Sequence, residues 1–202
     1  MDRAMTLPIE REEARGVSPT ALLQGSGLLA IAAGASMVVT PFVHPESPQS
    51  VAWVPVHLLY FATLMAIQLV LVGIFARQVR RTGILGVVAF LTAFIGTAMM
   101  LLEGREHLFS SDFGQGTPAG LWQLIAASFV FSVGYILLGV TTVRAGVLPR
   151  GAGILLAVGG PIVAFSPPIG MQAVLIVGHA LFGAGLAWLG YALRSGTERE
   201  KL

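Results

Sequence analysis

Long runs without a charged residue, divided by short clusters of arginine, proline and glycine, dominate this chain. The runs cover Thr20–Val43, Val51–Ala76, Thr82–Leu102, Gly114–Val143 and Gly151–Leu193. Several exceed the roughly 20 apolar residues needed to cross a 30 Å hydrocarbon layer, and the last is long enough for two crossings. Breaks fall where the backbone either lacks an N–H or tolerates a left-handed turn: Pro45 with Pro48, Arg80 to Gly83, Gly114 to Pro118, Gly146 to Pro149, and Ser166-Pro167-Pro168. This pattern predicts an all-α integral membrane bundle of about six transmembrane helices, at 20–43, 51–76, 83–108, 120–143, 149–165 and 169–193. A polar tail, 1–19, precedes the bundle and a short one, 194–202, follows it. The fifth helix is short, and Gly159-Gly160-Pro161 is expected to kink or interrupt it, so a re-entrant or tilted segment competes with a full crossing there.

The cationic residues give the chain an orientation. Arg3, Arg11, Arg15, Arg77, Arg80, Arg81, Arg144, Arg150, Arg194, Arg199 and Lys201 fall on one side of the six-helix topology and only Arg105 on the other. Loops rich in Lys and Arg stay in the cytoplasm, which predicts a multi-pass protein of the prokaryotic plasma membrane with both termini cytoplasmic. Trp53 and Trp122 then lie at outer helix ends, and Trp188 and Tyr191 at an inner one, as interfacial anchors. The amino-terminal tail mixes Glu10, Glu12 and Glu13 with its arginines, and the apolar run after it exceeds the roughly 7–15 residues of a signal peptide core. The first helix is accordingly expected to be a retained anchor.

Composition narrows the chemistry. The chain has 202 residues, of which 11% are charged, against about 25% in an ordinary soluble domain; its tails are too small to form a separate catalytic core. There is no cysteine, so disulfides, thiolate metal sites and thiol nucleophiles are excluded. The only lysine is Lys201 in the tail, so no amine within the membrane can form a Schiff base and no phosphate-binding Gly-x-x-x-x-Gly-Lys loop exists. A net charge of +2 spread over several loops does not point to nucleic acid. Ser128 and Ser132 are expected to bond to backbone rather than act as nucleophiles, and no catalytic constellation is recognisable.

Glycine numbers 25 of 202, and small residues let membrane helices approach closely. Ser26, Ala30 and Gly34 repeat every four residues on the first helix, as do His179, Gly183 and Ala187 on the last, marking two faces as protein-packed. A faint echo links Leu71-Val72-Gly73 and Arg81 to Leu85 with Leu138-Gly139 and Arg150 to Leu155, as an inherited two-helix repeat or a shared demand for a basic, glycine-containing turn would.

All four histidines, His44, His57, His107 and His179, fall in the outer half, as does Glu103. Ionisable groups at membrane depth are costly and usually face the bundle interior. Thr92, Gly96, Met100, Glu103 and His107 share one helical face, as do His57 and Gln68. By helical rise His57 lies about 9 Å and His179 about 15 Å from the outer ends of their helices, similar depths that allow convergence. The candidate site is therefore an outer-leaflet haem or metal centre, with His57, His179 and Met100 as cofactor ligands, or His57, Glu103, His107 and His179 around a metal ion. No CxxCH or HExxH motif accompanies these residues. The competing reading is of histidines that satisfy neighbours, with Glu103 and His107 paired at a wet helix end, His44 exposed in a loop, the methionines packing, and Gln123 and Gln172 hydrated.

Leu148-Pro149-Arg150-Gly151-Ala152-Gly153-Ile154-Leu155-Leu156-Ala157 and Gly185-Leu186-Ala187-Trp188-Leu189-Gly190-Tyr191-Ala192-Leu193 resemble segments of small multi-span prokaryotic integral membrane proteins of uncharacterised activity. The resemblance implies a similar helical fold and a plasma membrane location, and transfers no site residue. Three functions follow: a haem- or metal-binding membrane protein, a small transporter or permease-like protein, or a structural accessory subunit without a cofactor. Membrane lipids, a second copy and a membrane partner subunit are the expected partners.

Overall fold

The computed structural model describes the backbone of residues 18–45, 49–109, 118–169 and 171–199, and the side chains of 18–45, 49–102, 120–166 and 171–196. Its first helix, α1 (Pro19–Val43), begins where sequence chemistry favours a start: the Ser18 hydroxyl accepts the Ala21 N–H at 3.1 Å, and Pro19 occupies the first turn, where its missing N–H costs nothing. Then come α2 (Trp53–Phe109), α3 (Pro118–Ala145), α4 (Arg150–Ile169) and α5 (Gln172–Arg199). The structure is all-helical. Four segments, Pro19–Val43, Trp53–Leu102, Gly120–Ala145 and Gln172–Gly196, are long and apolar enough to cross a membrane, and Arg150–Ser166 is a shorter apolar helix.

The expected count of about six is not matched, because the second and third expected helices form one 57-residue element with no loop between them. The Arg80 to Gly83 break is confined to a single residue. Gly83 has φ 55° and ψ −145°, a non-helical conformation open to glycine, and helical hydrogen bonding resumes directly after it. The two arms of α2 fold back on each other there. Phe75 and Phe90 would lie about 22 Å apart along a straight helix, yet their rings stack with centroids 4.7 Å apart.

The helices pack in a closed sequence, α1 on α2, α2 on α3, α3 on α4, α4 on α5, and α5 back on α1. Backbone proximity, made possible by small residues, sets the α1–α5 contact. A Cβ on Gly27 would strike the Gly190 carbonyl and one on Gly190 the Gly27 carbonyl; seven residues along, Gly34 and Gly183 stand in the same reciprocal relation. Ala30, Gly34, Gly183 and Ala187 of the small-residue stripes read from sequence lie in this contact. Between α1 and α2, Ser26 faces Gly73 and, ten residues on, the Ser36 and Thr63 hydroxyls bond at 2.7 Å.

α4 departs from expectation in the opposite sense to α2. It runs as helix through Gly159-Gly160-Pro161 and past Pro167-Pro168, so the expected break at Ser166 is absent, while Pro161, having no N–H, still leaves Ala157 O without its helical donor. The glycine pair serves packing: Gly159 lies against the backbone of Phe182 on α5, and Gly160 against Tyr135 on α3. Pro167 and Pro168 cannot donate to the carbonyls of Val163 and Ala164 four residues earlier. Two hydroxyls replace those donors, Ser166 bonding to Val163 O at 2.9 Å and Ser128 of α3 to Ala164 O at 2.8 Å. Ser132 likewise bonds its own helix, at Ser128 O.

Phe131, Tyr135 and Phe182 form the centre of the core with ring centroids 4.4–5.7 Å apart, and the Tyr135 hydroxyl meets the buried Thr97 hydroxyl at 3.0 Å. Large apolar side chains such as Leu28, Phe42, Leu69, Ile95, Phe129 and Ile154 point outward. Apolar outside as well as inside, these helices are built for an apolar surrounding.

Gly25 and Gly83 both have open space where a Cβ would lie, but only Gly83 has positive φ. Gly83→Ala is therefore expected to cost on the order of 1–3 kcal/mol, whereas Gly25→Ala, in an ordinary helical position, should be neutral or stabilising by up to about 1 kcal/mol. Unfolding midpoints of the two variants in mixed micelles check this difference.

Candidate functional site

The α1–α5 register brings the carboxyl end of α1 beside the amino end of α5, and α2 begins at the same end of the bundle. Gln172 secures the junction: its amide donates to Pro41 O at 3.3 Å, a carbonyl in the last turn of α1 where helical donors run out. Sequence reasoning treated Gln172 as merely hydrated at a helix end; here it ties two helices together.

Two histidines, His44 and His57, meet at this junction, and a third, His179, lies on α5 at the same end of the bundle. His57 is buried, in the second turn of α2, and His179 is buried two turns into α5. Each is held by its own helix, His57 Nδ1 lying 2.8 Å from Trp53 O and His179 Nδ1 2.9 Å from Leu175 O. A ring nitrogen facing a carbonyl at this distance donates its proton to it. His44 caps α1 and completes the group. Its ring centroid is 5.1 Å from that of His57 and 6.0 Å from that of Trp53, while Trp53 covers His57 at 4.1 Å.

His44, read from the sequence as exposed in a loop, is exposed just past α1, and its ring lies beside those of His57 and Trp53. Its signal was its place immediately after an apolar span, at the end of the bundle where α2 begins. Met100 is half-buried and packs against the apolar core. Glu103 and His107 lie on the last turns of α2, and their side chains fall outside the described residues. Among the described residues, no group of three or more His or acidic side chains is arranged to hold a metal ion.

The opposite end carries Arg77, Arg80, Arg81, Arg144, Arg150 and Arg194. A polar pair overlooked in the sequence lies near it: Gln78 is buried, and its Oε1 accepts the Thr142 hydroxyl at 3.2 Å, joining α2 to α3. A glutamine set among Arg77, Arg80 and Arg81 gave no hint of its partner 64 residues away.

Burial first, and then the positive form of His57, hold the His44 imidazole below its usual value of 6.5. The folded state therefore binds a proton at His44 less readily than the unfolded chain. Stability from this group is complete above about pH 6.5 and declines as pH falls through the lowered folded value. Melting midpoints should drop on acidification below pH 6.5, and His44→Gln should flatten that drop. Comparison with protein-family models, curated proteins and solved structures gives no match, so the chain's activity must be argued from this geometry.

Proposed function

We propose that this chain is a membrane protein of six crossings, with both termini on the cytoplasmic side, that takes up a transition-metal ion or a haem at its outer histidine cluster. Two crossings are assigned to α2: a continuous rod of 57 residues would be far longer than a 30 Å hydrocarbon layer at about 1.5 Å per residue, and the reversal at Gly83 divides it. The arginine-rich end then faces the cytoplasm and the histidines face outward.

The observation carrying the metal reading is the pair His44 and His57, with ring centroids 5.1 Å apart. Two imidazoles bound tetrahedrally to one ion through metal–nitrogen bonds of about 2.0–2.1 Å would have centroids on the order of 5 Å apart. The Nδ1 contacts of His57 and His179 support it, since metal-ligating histidines commonly donate their other ring N–H to a carbonyl. Glu103 and His107, at the same end of the bundle, are the candidates to complete the shell. Imidazole nitrogen favours copper, zinc, nickel or haem iron over magnesium or calcium.

A second reading, a structural accessory subunit, is favoured by the close glycine packing of α1 on α5, which makes a rigid bundle irrespective of any ligand. Calorimetry with zinc, copper and haemin, together with an optical spectrum of chelator-washed protein in detergent, separates the two. The metal reading expects one ion or haem per chain, with affinity falling roughly tenfold to hundredfold in His57→Ala and His179→Ala. Wild-type protein with no visible band and no stoichiometric uptake would leave the accessory reading.

A further inference from the structure

Two surface grooves meet at Arg144, at the arginine-rich end. The first, about 220 Å³, runs along the α3–α4 contact and is lined by Gly139, Val140, Val143, Ile154 and Ala157, with Arg144 at its mouth. It exists because Gly139 and Gly153 let the two helices touch through backbone, leaving a furrow where side chains would otherwise lie. The second, about 190 Å³, lies between α2 and α3 and is lined by Arg81, Thr82, Leu85, Thr141 and again Arg144. An apolar furrow and a half-polar recess lined by two arginines thus share the Arg144 side chain.

Arg81 and Arg144 are exposed. The chain has no Asp or Glu from residue 47 to 102 or from 113 to 197, so the spanning parts of α2, α3 and α4 offer these arginines no acid at their own end. The hydroxyls nearby already donate elsewhere, Thr82 to Gln78 O and Thr141 to Leu138 O. Donors for an incoming anion are therefore the guanidinium N–H groups. The recess favours negative charge, and the adjoining furrow favours hydrocarbon.

We propose that the paired grooves bind one anionic glycerophospholipid of the inner leaflet, its phosphate between Arg81 and Arg144 and an acyl chain along Val140, Val143 and Ile154. The inference rests on the membrane-embedded reading and is independent of the histidine cluster. Arginines between helices on the cytoplasmic side form sites of this kind for acidic headgroups. A soluble phosphate would engage the recess and leave the furrow unused.

Native mass spectrometry of the detergent-purified chain, titrated with phosphatidylglycerol or with phosphatidylcholine of the same acyl chains, tests the site. Preferential retention of one phosphatidylglycerol is expected. The double variant Arg81→Gln, Arg144→Gln should weaken it by roughly fivefold per arginine, while Arg80→Gln, Arg150→Gln, which removes equal charge outside the grooves, should keep it. Val140→Trp, filling the furrow from an outward position, should lower retention with every charge intact, and unchanged helicity and elution volume confirm that each variant is folded. Equal loss in both double variants, no headgroup preference in the wild type, or displacement by glycerol phosphate would overturn the proposal. A chain that stays monomeric in water without detergent would instead overturn the membrane reading on which it rests.

Discussion

Hydrocarbon does not press apolar surfaces together as water does, so helices within it hold by close contact and shared hydrogen bonds. The approach of α1 to α5 through Gly27 with Gly190 and Gly34 with Gly183 is where this constraint acts most directly. It fixes the antiparallel register of the first and last helices. Through that register the end of α1 arrives beside the start of α5, placing Pro41 within reach of Gln172. The candidate site is thus a consequence of packing at residues that have no side chain.

Backbone groups deprived of helical partners form the second constraint, because no water in an apolar surrounding can satisfy them. The proline pair closing α4 leaves two carbonyls without donors, and Ser166 and Ser128 supply them. The second of these bonds also joins α3 to α4, so a local defect becomes a tertiary contact. Polar side chains in the spans recur in this role: Ser36 with Thr63, Thr97 with Tyr135 and Gln78 with Thr142 each link two segments. Their hydroxyls and amides join helices.

What the sequence made legible was set by local physics. Uncharged runs mark helices because a spanning segment must satisfy its own backbone, and the stripes at Ser26, Ala30 and Gly34 and at His179, Gly183 and Ala187 mark packed faces because small residues at every fourth position have few other uses. Gly83 was readable as a break but not as a one-residue reversal, since a turn residue does not disclose how many neighbours leave the helix with it. Gly159-Gly160-Pro161 was readable as a gap in helical hydrogen bonding but not as a packing site. That role depends on α3 and α5 closing from both sides, which no local pattern encodes. His57 and His179 stood out for their depth; His44 did not, because its place in the cluster depends on α1 ending beside the start of α2.

Histidines at one end and arginines at the other give the bundle two chemically distinct faces, and the account stands on a membrane lying between them. The absence of cysteine allows single-site labelling without background. Ser50→Cys, before α2, and Val147→Cys, in the α3–α4 turn, place one thiol at each end. With an impermeant maleimide, the thiol at 50 should react in intact cells and that at 147 only after lysis. Reaction of both thiols in intact cells, or of 147 alone, would contradict the account.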